Sequence, residues 1–146
     1  MLFRSVDIDA FDNTIIRNCE FYAEAATAGA TAGIRIDDAN YISIMNNWFH
    51  GDFADAPIAN IAADALGIGL LIKDNVIYND DTANDAGAIE LANACTGLIV
   101  GNLCGHLNGT TAVDAIDPGS CLCCENYVVN AVDESGTIVP PTLADA

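Results

Sequence analysis

Positive charge is what this chain has least of. Of its 146 residues only Arg4, Arg17, Arg35 and Lys73 are basic, against 21 acids, for a formal net charge of −17. A surface of that sign repels phosphate backbones and anionic bilayers, so nucleic acid and membranes are not expected partners. Long hydrophobic runs are missing too, with nothing near the roughly 18 consecutive apolar residues of a membrane span. The opening Met1-Leu2-Phe3-Arg4-Ser5 lacks the apolar stretch of a secretion signal, and an acid appears by Asp7. No sustained 3.6-residue period occurs, which argues against helices. No serine nucleophile elbow, phosphate-cradling glycine loop or dinucleotide fingerprint is present. Aromatics are few, yet just over half of the residues are hydrophobic, many of them alanine. That supports a narrow core of small side chains rather than disorder.

What the chain does have is a repeat. Asn18, Asn46, Asp74, Asn102 and Asn126 recur at spacings of 28, 28, 28 and 24 residues. Two residues before them stand Ile16, Ile44, Ile72, Val100 and Cys124. Four before stand Thr14, Ile42, Leu70, Leu98 and Leu122. The first two repeats match residue by residue: Val6 and Ile8 with Ile34 and Ile36, Phe21 with Phe49, Tyr22 with His50. Each repeat reads as three short strands of alternating polarity separated by turns such as Asp12-Asn13 and Asp117-Pro118-Gly119-Ser120. One repeat cannot bury its own inward residues, so the units must stack, like residue over like at about 4.8 Å. The expected fold is all-β: a solenoid of about five coils with three short strands per coil over residues 1–132, then a capping tail over 133–146. The polar column is expected to be an inward ladder of side-chain amides, weakened at Asp74.

The six cysteines are Cys19, Cys95, Cys104, Cys121, Cys123 and Cys124. The chain has its own core pattern, so free thiols are expected rather than a disulfide framework. Strand alternation with Leu122 and Cys124 inward sends Cys121 and Cys123 outward, which opposes a shared metal site. They read as buried small hydrophobes.

The repeat resembles the right-handed parallel β-helix of the pectate-lyase-like superfamily, whose members carry an inward asparagine ladder at one turn. The closing stretch Asp117-Pro118-Gly119-Ser120-Cys121-Leu122-Cys123-Cys124-Glu125-Asn126-Tyr127-Val128-Val129-Asn130, with Glu134-Ser135-Gly136-Thr137-Ile138-Val139-Pro140, also resembles β-helix structural proteins of tailed bacteriophages. The first resemblance implies the fold but little of the activity, since the same fold serves lyases, hydrolases and particle proteins.

Polysaccharide lyases of that superfamily use acidic calcium ligands and an arginine base. The resemblance would cast Arg35 in that role, stacked on Asp7; an ion pair between adjacent rungs is the plainer reading. Asp9 above Asp37 gives a carboxylate pair at a spacing suited to glycoside hydrolysis, in a chain where acids meet often. Asp52, Asp55, Asp80 and Asp81 offer oxygens to calcium without any EF-hand spacing, so solvated loops are the preferred reading and no cofactor is expected. His50 and His106 read as isolated histidines. Alternation puts Phe49 inward and Trp48 outward, which leaves Trp48 for a sugar or a subunit contact.

The reading is a non-enzymatic structural protein of a tailed-phage virion, a capsid decoration or a tail-associated part. Its runner-up is a carbohydrate-active β-helix or a sugar-binding tailspike fragment. A bacterial surface adhesin is a third reading. Expected partners are further copies of itself, by analogy a trimer, other virion proteins, and in the runner-up a surface polysaccharide. The tail Thr137–Leu143 has strand residues followed by two prolines, suited to closing one end of the stack. At the other end nothing before Leu2-Phe3 is seen to cover Val6 and Ile8, so a partner or further sequence is expected to close it.

Overall fold

Alternating β-branched residues with left-handed corners, most of them Asn, Asp or Gly, give short strands that bend and return, and the chain winds into levels. The computed structural model describes residues 2–3, 5–24, 31–60, 67–80, 87–91, 94–106, 115–130 and 138–139. β1 (Leu2–Phe3) stands one level before the rest; level one contains β2 (Val6–Asp9), β3 (Ile15–Arg17) and β4 (Glu20–Ala23), with which β1 pairs. Level two contains β5 (Ile34–Asp37), β6 (Ser43–Met45) and β7 (Trp48–Gly51). Level three contains β8 (Ile58–Ala59), β9 (Ile68–Lys73) and β10 (Val76–Asn79). Level four contains β11 (Ile89–Glu90), β12 (Thr96–Val100) and β13 (Leu103–His106). Level five contains β14 (Ile116–Asp117), β15 (Leu122–Cys124) and β16 (Tyr127–Asn130), followed by β17 (Ile138–Val139). No described residue is helical, so no described helix is long and apolar enough to cross a membrane.

Strands of equal position pair in parallel from level to level and form three sheets: a parallel β-solenoid with three strands per coil. Sheet A runs β1-β4-β7-β10-β13-β16-β17, sheet B β2-β5-β8-β11-β14, and sheet C β3-β6-β9-β12-β15. Every pairing is parallel except β16 with β17, which is antiparallel. Ile138–Val139 therefore closes one edge of sheet A, and β1 occupies the other. The prolines of the tail, Pro140 and Pro141, lie outside the described residues. At the opposite end, Ile8 is buried within the chain itself and Val6 is half-buried, so Ile8 does not await a partner.

The core is built from columns of like residues, two from sheet B and one each from sheets C and A, meeting along the axis. Sheet B supplies Ile8, Ile36, Ile34, Ile58 and Ile89; sheet C supplies Ile44, Ile72 and Ile99; sheet A supplies Phe21, Phe49, Ile77 and Cys104. Phe21 and Phe49 stack with ring centroids 4.6 Å apart and planes within 6°. Such offset aromatic pairs add to the area they remove from water.

The buried amide ladder exists, but its members are Asn47, Asn75, Asn102 and Asn126. Each backbone N–H donates to the side-chain oxygen of the next: Asn47 to Asn75 at 2.9 Å, Asn75 to Asn102 at 3.0 Å, Asn102 to Asn126 at 3.0 Å. Each Nδ2 also donates back to a carbonyl of the previous level: Ile16, Ile44, Ile72 and Ile99 at 3.1, 2.9, 3.0 and 2.9 Å. Cys19 takes the first position, its N–H donating to Asn47 Oδ1 at 3.0 Å. Asn18, Asn46 and Asp74 are not rungs of this ladder. They are exposed, one residue earlier, at corners with φ of 55°, 53° and 53°, in a column that continues through Gly101 and Glu125. Asn and Asp adopt this left-handed conformation with less strain than other non-glycine residues.

The cause of the displaced register is one extra residue. Thr96 pairs with Ile68, but Gly97 pairs with Leu70, so Gly69 is bulged out of β9. Beyond that bulge the repeat is 27 residues, and a count held at 28 slips by one. A one-residue slip turns every side chain of a strand over. Hence Ile99 and Cys123 face inward over Ile72, while Leu98, Val100, Leu122 and Cys124 face outward, opposite to the expected order. The six thiols are free.

Candidate functional site

Because the stack repeats its register, the outer face of each sheet is a set of columns, and the three faces differ in chemistry. Sheet B is acidic. The outward column beginning at Asp7 runs Arg35, Ala59, Glu90, Asp117, with Asp9 over Asp37 beside it. Sheet C carries no acid on its strands: its outward columns are Ile15, Ser43, Leu71, Leu98, Leu122 and Arg17, Met45, Lys73, Val100, Cys124. Ile15 and Leu122 are 63% and 66% exposed. Sheet A presents aromatic rings.

On sheet B, the Arg35 guanidinium lies between two carboxylates, 3.8 Å from Asp7 and 3.3 Å from Asp37. It lines a shallow recess of about 160 Å³ with Ser5, Val6, Asp7, Thr31 and Ala32. The arrangement is the ion pair across rungs, worth little when this exposed. Asp9 and Asp37 are neighbours in adjacent strands, and Arg35 engages Asp37.

On sheet A the alternation of β4, β7 and β10 buries Phe21, Phe49 and Ile77 and turns Glu20, Tyr22, Trp48, His50, Val76 and Tyr78 outward. Register sets Glu20 beside Trp48 and Tyr22 beside His50. The His50 ring is the hub: 4.3 Å from Trp48, 4.9 Å from Tyr22, with Nε2 2.9 Å from Glu20 Oε1. Trp48 remains 49% exposed, and Tyr127 on β16 is 52% exposed. Phe49 is wholly buried and offers nothing to a ligand. His50 is thus not an isolated histidine, and Glu20 was missed as its partner. The signal was present only as register, in the 28-residue match of Glu20-Phe21-Tyr22 to Trp48-Phe49-His50. The side chain of His106 lies outside the described residues.

A second buried amide was also missed. Asn79 is fully buried, its Oδ1 accepting from Phe53 N–H at 3.0 Å and its Nδ2 donating to the carbonyls of Asp55 at 3.2 Å and Gly87 at 3.4 Å. It pins the 52–57 loop to the stack, and strand parity with Ile77 could have placed it inward. Asp81 is outside the described residues, and among those described no group of three or more His, Cys, Asp or Glu could hold a metal ion.

Five of the six thiols, Cys95, Cys104, Cys121, Cys123 and Cys124, lie in the last two levels. Burial pushes the Cys121 thiol up to about 12, with the neighbouring Cys95 and Cys123 adding to the rise. Burial likewise raises Cys123 to about 11, with help from Cys124, and lifts Cys104 further still. Thiols held neutral this firmly are poor nucleophiles and poor metal ligands. Comparison of the chain with protein-family models, with curated proteins and with solved structures gave no match.

Proposed function

We propose that this chain is a non-enzymatic structural element, a right-handed β-helix of the pectate-lyase-like kind serving in a tailed-phage virion as a capsid decoration or tail-associated part. One observation carries the reading: the strands of sheet C carry no acid in a chain with 21 of them, and one of their outward columns, Ile15-Ser43-Leu71-Leu98-Leu122, is apolar at every level but Ser43, beside a second column that holds Arg17 and Lys73. Where charge is this one-sided, copies repel one another wherever their acids meet. Sheet C is the surface where such repulsion is least and where apolar area awaits a cover. A rigid stack with one such face suits assembly, into a trimer and onto other virion proteins.

Two measurements test the proposal. Sedimentation of the purified chain at micromolar concentration should give an oligomer that Leu122→Asp and Leu98→Asp convert to monomer with the fold intact. Mass spectrometry of purified virions should find the chain as a particle component. A monomeric wild type would remove the support that sheet C lends.

The recess at Arg35 favours a second reading, a polysaccharide lyase or hydrolase with the arginine as base. Incubation with acidic polysaccharides and calcium discriminates. Release of unsaturated or reducing ends that vanishes in Arg35→Ala would displace the structural reading.

A further inference from the structure

The aromatic face of sheet A has carboxylate and rings but, among its described residues, no lysine or arginine. Arg17 and Lys73 stand on sheet C and Arg35 on sheet B. Glu20 is the register partner of Trp48, so a carboxylate stands one strand away from a half-exposed indole. Its Oε1 meets His50, while a carboxylate has room for further donors on its second oxygen. The electron-rich faces of Trp and Tyr attract cations, and an adjacent carboxylate adds to that attraction. The field of a chain at −17 draws cations and repels anions.

From this juxtaposition we infer that sheet A's outer face docks an extended, arginine- or lysine-bearing segment of another protein. The length fits a segment rather than a small ion. The face runs from Glu20 and Tyr22 on β4 through Trp48 and Tyr78 to Tyr127 on β16, four strand spacings or about 19 Å. An extended chain covers that distance in about six residues and presents every second side chain to the face. A second copy of this chain is a poor occupant, because its described cations are already engaged or few: Arg35 lies between Asp7 and Asp37, and Lys73 is 3.6 Å from Asp74. The inference stands apart from the assembly role of sheet C and does not depend on it.

Trp48 is the chain's single tryptophan, so its emission reports this face alone. The full chain is titrated with a short capped peptide carrying two arginines at alternate positions, beside the same peptide with citrulline and a neutral oligosaccharide. The expected result is saturable change of Trp48 emission with the arginine peptide only, weakened by added salt. Calorimetry should show affinity reduced about fivefold in Glu20→Gln and in Trp48→Ala. Asp9→Asn, an equal change of charge on sheet B, should leave it within about twofold. Equal weakening by Asp9→Asn would mean diffuse attraction and overturn the inference. So would a response to the oligosaccharide in place of the peptide, a concentration-dependent change without any ligand, or no response at all.

Discussion

Asn46 and Asn47 are neighbours with the same side chain and opposite tasks. Asn46 is exposed and holds a left-handed corner; Asn47 is 2% exposed and bonds to the levels on both sides. Asn47→Leu removes the acceptor of Cys19 N–H and the donor to Ile16 C=O in one step. Each buried group left unmatched costs about 1–3 kcal/mol, so the variant should lose about 3 kcal/mol in urea denaturation. Asn46→Gly keeps the corner's backbone freedom and should stay within about 0.5 kcal/mol of the parent. Reversal of that order would mean that the ladder runs through the other column.

At the scale of the strand, the bulge in β9 decides which side chains of β12 and β15 face the core. Gly97 sits across from it, and a methyl group there would meet the backbone carbonyl of Leu70. Backbone cannot swing aside as a side chain can, so Gly97→Ala should cost about 3 kcal/mol, read as a fall in the denaturation midpoint. The bulge also marks where the sequence stops being legible. Val6/Ile34, Ile16/Ile44 and Phe21/Phe49 lie before it, and their match at 28 residues is enough to give the solenoid, its three strands per coil and the inward residues of two levels. After it, Leu98-Ile99-Val100 is apolar at every position, and Leu122-Cys123-Cys124 nearly so. Alternation therefore could not correct a miscount by one. Register gave Glu20 beside Trp48 and Tyr22 beside His50, but the contact of Glu20 with His50 was not legible, because a diagonal hydrogen bond depends on rotamers that spacing does not specify.

The slipped register also turns Cys123 toward the core among the thiols of the last two levels, with a consequence for pH. Unfolded thiols titrate near 9.0, whereas those of Cys121 and Cys123 are held up to about 12 and about 11. Between pH 9 and those values the folded chain keeps protons that the unfolded chain has released. Their contribution is therefore complete below pH 9 and is lost as pH rises toward 11–12. Denaturation followed from pH 8 to 11 should show stability falling above pH 9, and falling less steeply in Cys121→Ala/Cys123→Ala. An equally steep fall in the double variant would remove the thiols as the cause.

For the whole molecule, the described strands of each level pair with those of the levels above and below, and the core runs on along the axis, so stability builds up as a sum of nearest-neighbour contacts. The three faces follow from the same repetition, since whatever side chain occupies an outward position is carried along the axis as a column. Sheet B spreads the charge, sheet C collects the apolar surface and sheet A the rings. The antiparallel β17 is the exception to the parallel order, lying across the end of one sheet alone.

The ladder gives the stack a mechanical direction. Its bonds lie along the axis, so a pull applied between the two chain ends loads the terminal level first, and each level resists separately until its own bonds part. In a single-molecule force experiment the molecule should tear like a perforated strip, in a series of small steps. Each step should release one coil, 24–28 residues by the spacing of the amides, or about 80–100 Å of extended chain. In Asn75→Leu, the tear should run through the two levels that Asn75 joins and give one step of doubled length.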